Sequence, residues 1–168
     1  YALVVTREIT AATNVAALPT SVTSVLPNED FFVEVWVRDL LAVGRPEFPL
    51  SLPTAGASQG VLSAGVDLQF DPALSSFLEV DASGAFSFAE STSVAAGLIN
   101  NLHGSTPVAD LGTVGQFGRL GAVKFHASGI GRQSFALALS GNEDPTEREA
   151  DGVGDGMIHT SQIRLGQS

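Results

Sequence analysis

Cysteine is absent from this chain, which removes disulfide frameworks and thiolate metal sites from its repertoire. Positive charge is scarce: 8 Lys and Arg stand against 18 Asp and Glu, a formal net charge of −10. A surface of that sign repels phosphate backbones and anionic headgroups, so nucleic acid and anionic membranes are poor partners. Calcium, cationic surfaces and neutral sugars remain open. No apolar run approaches the roughly 18 residues of a membrane span, so membrane insertion is not expected. Large aromatics other than Phe are almost missing, with one Trp and one Tyr. The chain also starts on Tyr1 rather than Met, as expected for a processed mature protein or an excised domain.

What is present is 44% hydrophobic residues, 18 glycines, and only 15% charged residues. That suits a β-protein with many turns and enough apolar mass for a sizeable core. The strongest segment runs from Gly60 to Leu74. Leu62, Ala64, Val66, Leu68 and Phe70 alternate with Ser63, Gly65, Asp67 and Gln69. Period two of that length is a strand with one buried face. Asp71-Pro72 then ends it, because proline has no N–H for a ladder. Leu74 and the run 77–80 follow as a buried contact and a short strand, making a corner.

Residues 2–9 read as a first strand and 10–23 as an extended connection. Residues 31–40 form a second strong strand, with Phe31, Val33, Val35 and Val37 inward and Phe32, Glu34, Trp36 and Arg38 outward. Residues 41–58, with Pro46, Pro49 and Pro53, read as a loop insertion. Short strands are expected at 84–88 and 97–101. The latter competes with a helical reading of Val94, Ala95, Leu98, Ile99 and Leu102. Residues 120–127 and 134–139 read as a hairpin, and 157–165 as the last strand. The expectation is a single domain over 1–168: an all-β, antiparallel two-sheet sandwich or jelly roll of about nine strands. Val35, Val66, Leu68, Phe70, Val123, Phe125 and Leu137 should share one core.

Three groups of residues are candidates for function. Residues 142–156 concentrate carboxylates, and Asp144, Glu147, Asp151 and Asp155 form a candidate calcium site of hard oxygen ligands. The competing reading is a solvated acidic loop, because Val153 and Gln162 spoil the EF-hand pattern that starts at Asp151. Phe32 and Trp36, with Arg38 beside them, form a candidate partner-binding platform. The competing reading is that residues 41–58 fold over it. Catalysis has little support. His103, His126 and His159 are scattered without metal-ligand spacing. Gly56-Ala57-Ser58-Gln59-Gly60 matches a nucleophile elbow but lies between a proline-rich loop and a strand, not between a strand and a helix. Glu34 and Asp67 are candidate paired carboxylates on facing strands; the competing and preferred reading is two solubilising acids. No catalytic residue is assigned.

The ordered set 28–37, then 65–74 with 78–80, then 120–127 followed by 131–139, resembles the cohesin family of bacterial β-sandwich domains. The family likewise has a polar turn and alternating strand, then a strand, Asp-Pro, Leu and short strand, then a late hairpin. The resemblance covers most of 2–139 and implies a nine-stranded jelly roll whose usual role in the family is non-covalent protein attachment, most often to dockerin modules. Residues 97–100 make it most similar to repeats in large secreted bacterial proteins. The implied function is an extracellular or cell-surface structural or interaction module of a bacterial assembly. The expected partners are copies of itself or neighbouring modules, engaged through the first strand as an open edge. The alternatives are a carbohydrate-binding module of similar fold and a dockerin-binding cohesin. No motif maps the dockerin contacts, and the near-absence of Trp and Tyr weakens the sugar reading.

Overall fold

Alternating apolar residues become strands here because each strand has one face turned to a shared interior. The computed structural model describes residues 1–38, 63–86, 88–89, 92–105, 116–139 and 160–165. Twelve strands lie within them: β1 (Ala2–Thr6), β2 (Asn14–Val15), β3 (Ser24–Val25), β4 (Asp30–Arg38), β5 (Ser63–Gln69), β6 (Ser75–Asp81), β7 (Phe88–Ala89), β8 (Ser93–Ala95), β9 (Leu98–Ser105), β10 (Phe117–Ala127), β11 (Gly131–Leu139) and β12 (Thr160–Leu165). The excess over nine comes from pieces of two or three residues. The expected insertion at 41–58 and acidic loop at 142–156 lie outside the described residues.

Two sheets face each other. The five-stranded sheet runs β1-β4-β10, and the far edge of β10 is shared by β2 at one end and β6 at the other. The seven-stranded sheet runs β3-β12-β11-β5-β9, with β7 and β8 both on the outer edge of β9. Pairing is antiparallel except for the short β12–β3 contact. The all-β sandwich expectation is met.

Between the sheets, Phe31, Val33, Val35, Val37, Val123 and Phe125 from one side meet Val66, Leu68, Ile99, Phe135, Leu137 and Ile163 from the other. Phe125 is central, with ring centroids 5.7 Å from Phe31, 4.9 Å from Phe70 and 5.2 Å from Phe135. Each such side chain contributes about 1.5–3 kcal/mol by leaving water. Phe70 is only partly buried and packs against this core rather than within it.

The Asp-Pro corner carries the chain from one sheet to the other. Asp71 Oδ1 accepts the N–H of Ala73 at 2.9 Å, and its carbonyl accepts those of Leu74 and Ser75 at 3.2 Å each. Leu74 in turn offers its carbonyl to the N–H groups of Ser128 and Gly129, both at 3.0 Å. The corner is thereby fastened to the β10–β11 hairpin.

The expectation for the first strand needs correction. It ends at Thr6 and pairs with β4 in its own sheet, from Ala2 opposite Trp36 to Thr6 opposite Phe32. Its other edge is engaged at Val5, whose N–H donates to Ser21 Oγ at 3.0 Å and whose carbonyl accepts the N–H of Val22 at 2.8 Å. It is not an open edge there. The strand expected at 97–101 is present, and the competing helical reading is not: residues 93–105 are two strands with a turn at Ala96-Gly97. The apparent helical spacing arises because β9 carries a bulge opposite Asp67, where Asn101 sits at φ 58° and donates its N–H to Asp67 Oδ1 at 2.9 Å. Asp67, read as a solubilising acid, therefore holds the bulge.

Candidate partner-binding face

In β4 the odd residues enter the core, so Phe32, Glu34, Trp36 and Arg38 point to the other side of the five-stranded sheet. That face has a closed end and an open end. At the closed end Trp36 and Glu34 are both 0% exposed, which corrects their reading as a wet surface. Glu34 accepts the N–H of Thr10 at 2.6 Å on Oε1, the hydroxyl of Thr10 at 2.9 Å on Oε2, and the indole N–H of Trp36 at 3.0 Å on Oε2.

Arg119 completes the enclosure. It is opposite Trp36 in the ladder, with its guanidinium 5.9 Å from the Trp36 ring centroid and 3.6 Å from Glu34 Oε1. It donates to the carbonyls of Thr10 and, at 2.7 Å, of Ser83. Its own backbone N–H and carbonyl bond Thr13 and Ala85, each at 2.8 Å. The connection after β1 and the turn after β6 are thus drawn over the sheet by one buried ion pair. Trp36 is unavailable as a platform. Phe32 is half-buried and Arg38 exposed, its guanidinium 5.2 Å from the ring centroid of Phe117. Arg119 lay one residue before the expected strand, so only its placement between Gly118 and Leu120 hinted at a ladder position.

At the open end Asp30 Oδ1 and His126 Nδ1 share a hydrogen bond of 2.8 Å. Lys124 Nζ lies 3.4 Å from Asp30 Oδ2 and 3.8 Å from Glu79 Oε1. The hydrogen bond from His126, with Lys124 adding to it, holds the Asp30 carboxyl below its usual range. Asp81, near the closed end, is also lowered, first by hydrogen bonding from Ser83 and further by the charge of Arg119. Charges on the open end largely satisfy one another.

The outer face of the seven-stranded sheet is different. Gln69 is opposite Ala136 and Asp67 is opposite Ala138, all pointing away from the core that Leu68 and Leu137 enter. Ser134 continues the row and is exposed. The side chains along this row are short, and farther along the same face His103, opposite Gly65, is buried. The sequence signal was available: in 134–138 the large residues Phe135 and Leu137 alternate with Ser134, Ala136 and Ala138 alone.

Among the described residues no group of three or more His, Asp or Glu side chains is placed to hold a metal. Asp144, Glu147, Asp151 and Asp155 lie outside the described residues, as do Ser58 and His159. His103 is buried on β9, in the seven-stranded sheet, whereas His126 is on β10 in the five-stranded one.

No family model matches the sequence, and no curated protein matches it. Solved structures do match. The cohesin module of a Clostridium perfringens family 33 glycoside hydrolase superposes with a TM-score of 0.51 at 16% identity, over 87% of this chain and 92% of that one. The cohesin of the OlpA type I cohesin–dockerin complex of Clostridium thermocellum gives 0.52 at 10% identity, over 98% and 97%. The fold is cohesin-like. A third match, the ScaC cohesin of Acetivibrio cellulolyticus bound to the ScaB dockerin, gives 0.51 at 13% identity, over 84% and 92%. The two complexes correct the expectation of self-copies or neighbouring modules as partners. In both, the partner of the cohesin is a dockerin, a module of another kind.

Proposed function

We propose that this cohesin-like chain is a non-catalytic docking module of a bacterial extracellular or cell-surface assembly, and that it receives a dockerin-type module from a separate protein. One observation carries the reading: the cohesin-like fold extends along nearly the whole chain, including the match to a cohesin in complex with its dockerin. The outer face of the seven-stranded sheet is the surface we assign to the partner. Its row of Ser134, Ala136 and Ala138 is made of short side chains and is fixed from behind by the core. Ala136 and Ala138 let a partner approach the strand closely, while Asp67 and Gln69 supply polar contacts beside them. The five-stranded sheet suits this role less, since its closed end is already covered by the chain itself.

The test is calorimetric titration of the full chain with a panel of dockerin modules, beginning with those of the Clostridium thermocellum and Acetivibrio cellulolyticus complexes. Saturable one-to-one binding by a panel member is the expected result. Absence of heat from every member at about 100 μM, where the binding free energy is still roughly 5.5 kcal/mol, overturns the dockerin reading.

A further inference from the structure

Two arginines stand face to face on the outer side of the seven-stranded sheet. Arg132 on β11 and Arg164 on β12 are direct cross-strand partners. Their neighbours Gln133, Ile163 and Leu165 are buried, so both side chains point outward, and both are exposed. Side chains opposite one another in a ladder have Cβ atoms about 5 Å apart, and like charges so placed repel. Among the described residues neither guanidinium has an ion pair or hydrogen bond. A third arginine is close. Arg7 donates to the carbonyl of Ser24, the residue beside Arg164 in the ladder, at 3.5 Å. Arg7 is already matched, 3.8 Å from Glu29 Oε2, and Glu29 also accepts the N–H of Leu26 at 3.0 Å. The Arg132–Arg164 pair is left unmatched in a chain of net charge −10.

We propose that Arg132 and Arg164 form a carboxylate-recognition subsite on the docking face, taking an acidic stretch of the partner protein. This rests on the docking reading above and adds the chemistry of the partner. Paired guanidinium forks suit carboxylates, which accept two parallel N–H···O bonds, better than ammonium groups would. A bound carboxylate removes the repulsion that the free pair carries. The acidic remainder of the chain does not cancel this, because charges beyond about 8 Å are largely screened at physiological salt. It confers selectivity instead: an acidic segment is accepted at the arginines and repelled elsewhere, which fixes the orientation of the partner.

The test is an amide-shift NMR titration of the full chain with a hexaglutamate peptide at physiological salt, with hexaglutamine and a trigalacturonate as comparisons. Hexaglutamate should shift the amides of Arg132, Gln133, Arg164 and Leu165. Binding should weaken about tenfold or more in the Arg132→Gln, Arg164→Gln double variant, and the Lys, Lys variant should lie between. The double variant should melt no lower than the parent, since it loses a repulsion. Shifts that persist in the double variant, no shifts at all, or binding of trigalacturonate alone overturn the proposal. A dockerin that binds parent and double variant equally overturns the subsite and leaves the docking reading standing. Hexaglutamate binding at the arginines with no dockerin binding supports the subsite and removes the dockerin partner.

Discussion

Glu34 and Arg119 are buried on the outer side of a sheet, where removal from water is costly and only a complete set of partners offsets it. Glu34 has that set in Thr10, Trp36 and Arg119. Replacing Glu34 with Gln leaves the Arg119 charge buried without its counterion and should lower unfolding stability by about 3–5 kcal/mol in urea titration. Arg119→Met should cost a similar amount. The double variant should lose clearly less than the sum, because no unpaired charge remains; strictly additive losses would show that the pair is not coupled.

Asp30 and Asp81 add a pH dependence. Both titrate below the ordinary 3.8 in the folded chain. Their stabilisation is therefore present above the pKa of the unfolded chain and is lost as pH falls through the lower folded values. The urea midpoint should hold from pH 7 to about 5 and fall below pH 4. Asp81→Asn should make that acid limb shallower; an unchanged limb would remove Asp81 from its causes.

Among the elements, the Asp-Pro corner and the β10–β11 hairpin depend on a close approach. A Cβ on Gly129 would lie 2.6 Å from the carbonyl oxygen of Ala73 and 3.0 Å from the Cα of Leu74. Both are backbone atoms, so the corner must move and the bonds from Ser128 and Gly129 to Leu74 must stretch. Gly129→Ala should destabilise by about 1–3 kcal/mol, read as a lower melting temperature. In the β5 strand, Val66→Asp places a charge in the shared core and should abolish the cooperative transition.

These elements also show what a sequence reveals. Strands β4, β5, β10 and β11 were legible because each runs long and gives one face to the shared core. The corner was legible because proline ends a ladder for a local reason. The bulge in β9 was not, since one extra residue shifts the phase of alternation and mimics a helical stripe. Burial of Trp36 and Glu34 was not legible either. Alternation says which residues share a face, but not that residues 10–13 are laid across it. The Arg132–Arg164 pairing needs the register of two distant segments, which neither segment encodes alone.

For the whole molecule, the two sheets differ in how much surface they leave to a partner. The five-stranded sheet closes one end with its own chain and matches its charges at the other. The seven-stranded sheet keeps a row of short side chains, Ser134, Ala136 and Ala138, beside Asp67 and Gln69. A bulky, charged substitution on that row should therefore block docking without touching the core. Ala138→Arg is expected to weaken a binding dockerin by about tenfold or more, while leaving the melting temperature within a degree or two, as for most surface changes. His126→Ala, on the other sheet, should leave affinity unchanged despite losing its bond to Asp30. Calorimetric titration of both variants against the same dockerin decides between the faces. If His126→Ala weakens binding and Ala138→Arg does not, the partner sits on the open end of the five-stranded sheet, around Asp30, Phe32 and Lys124.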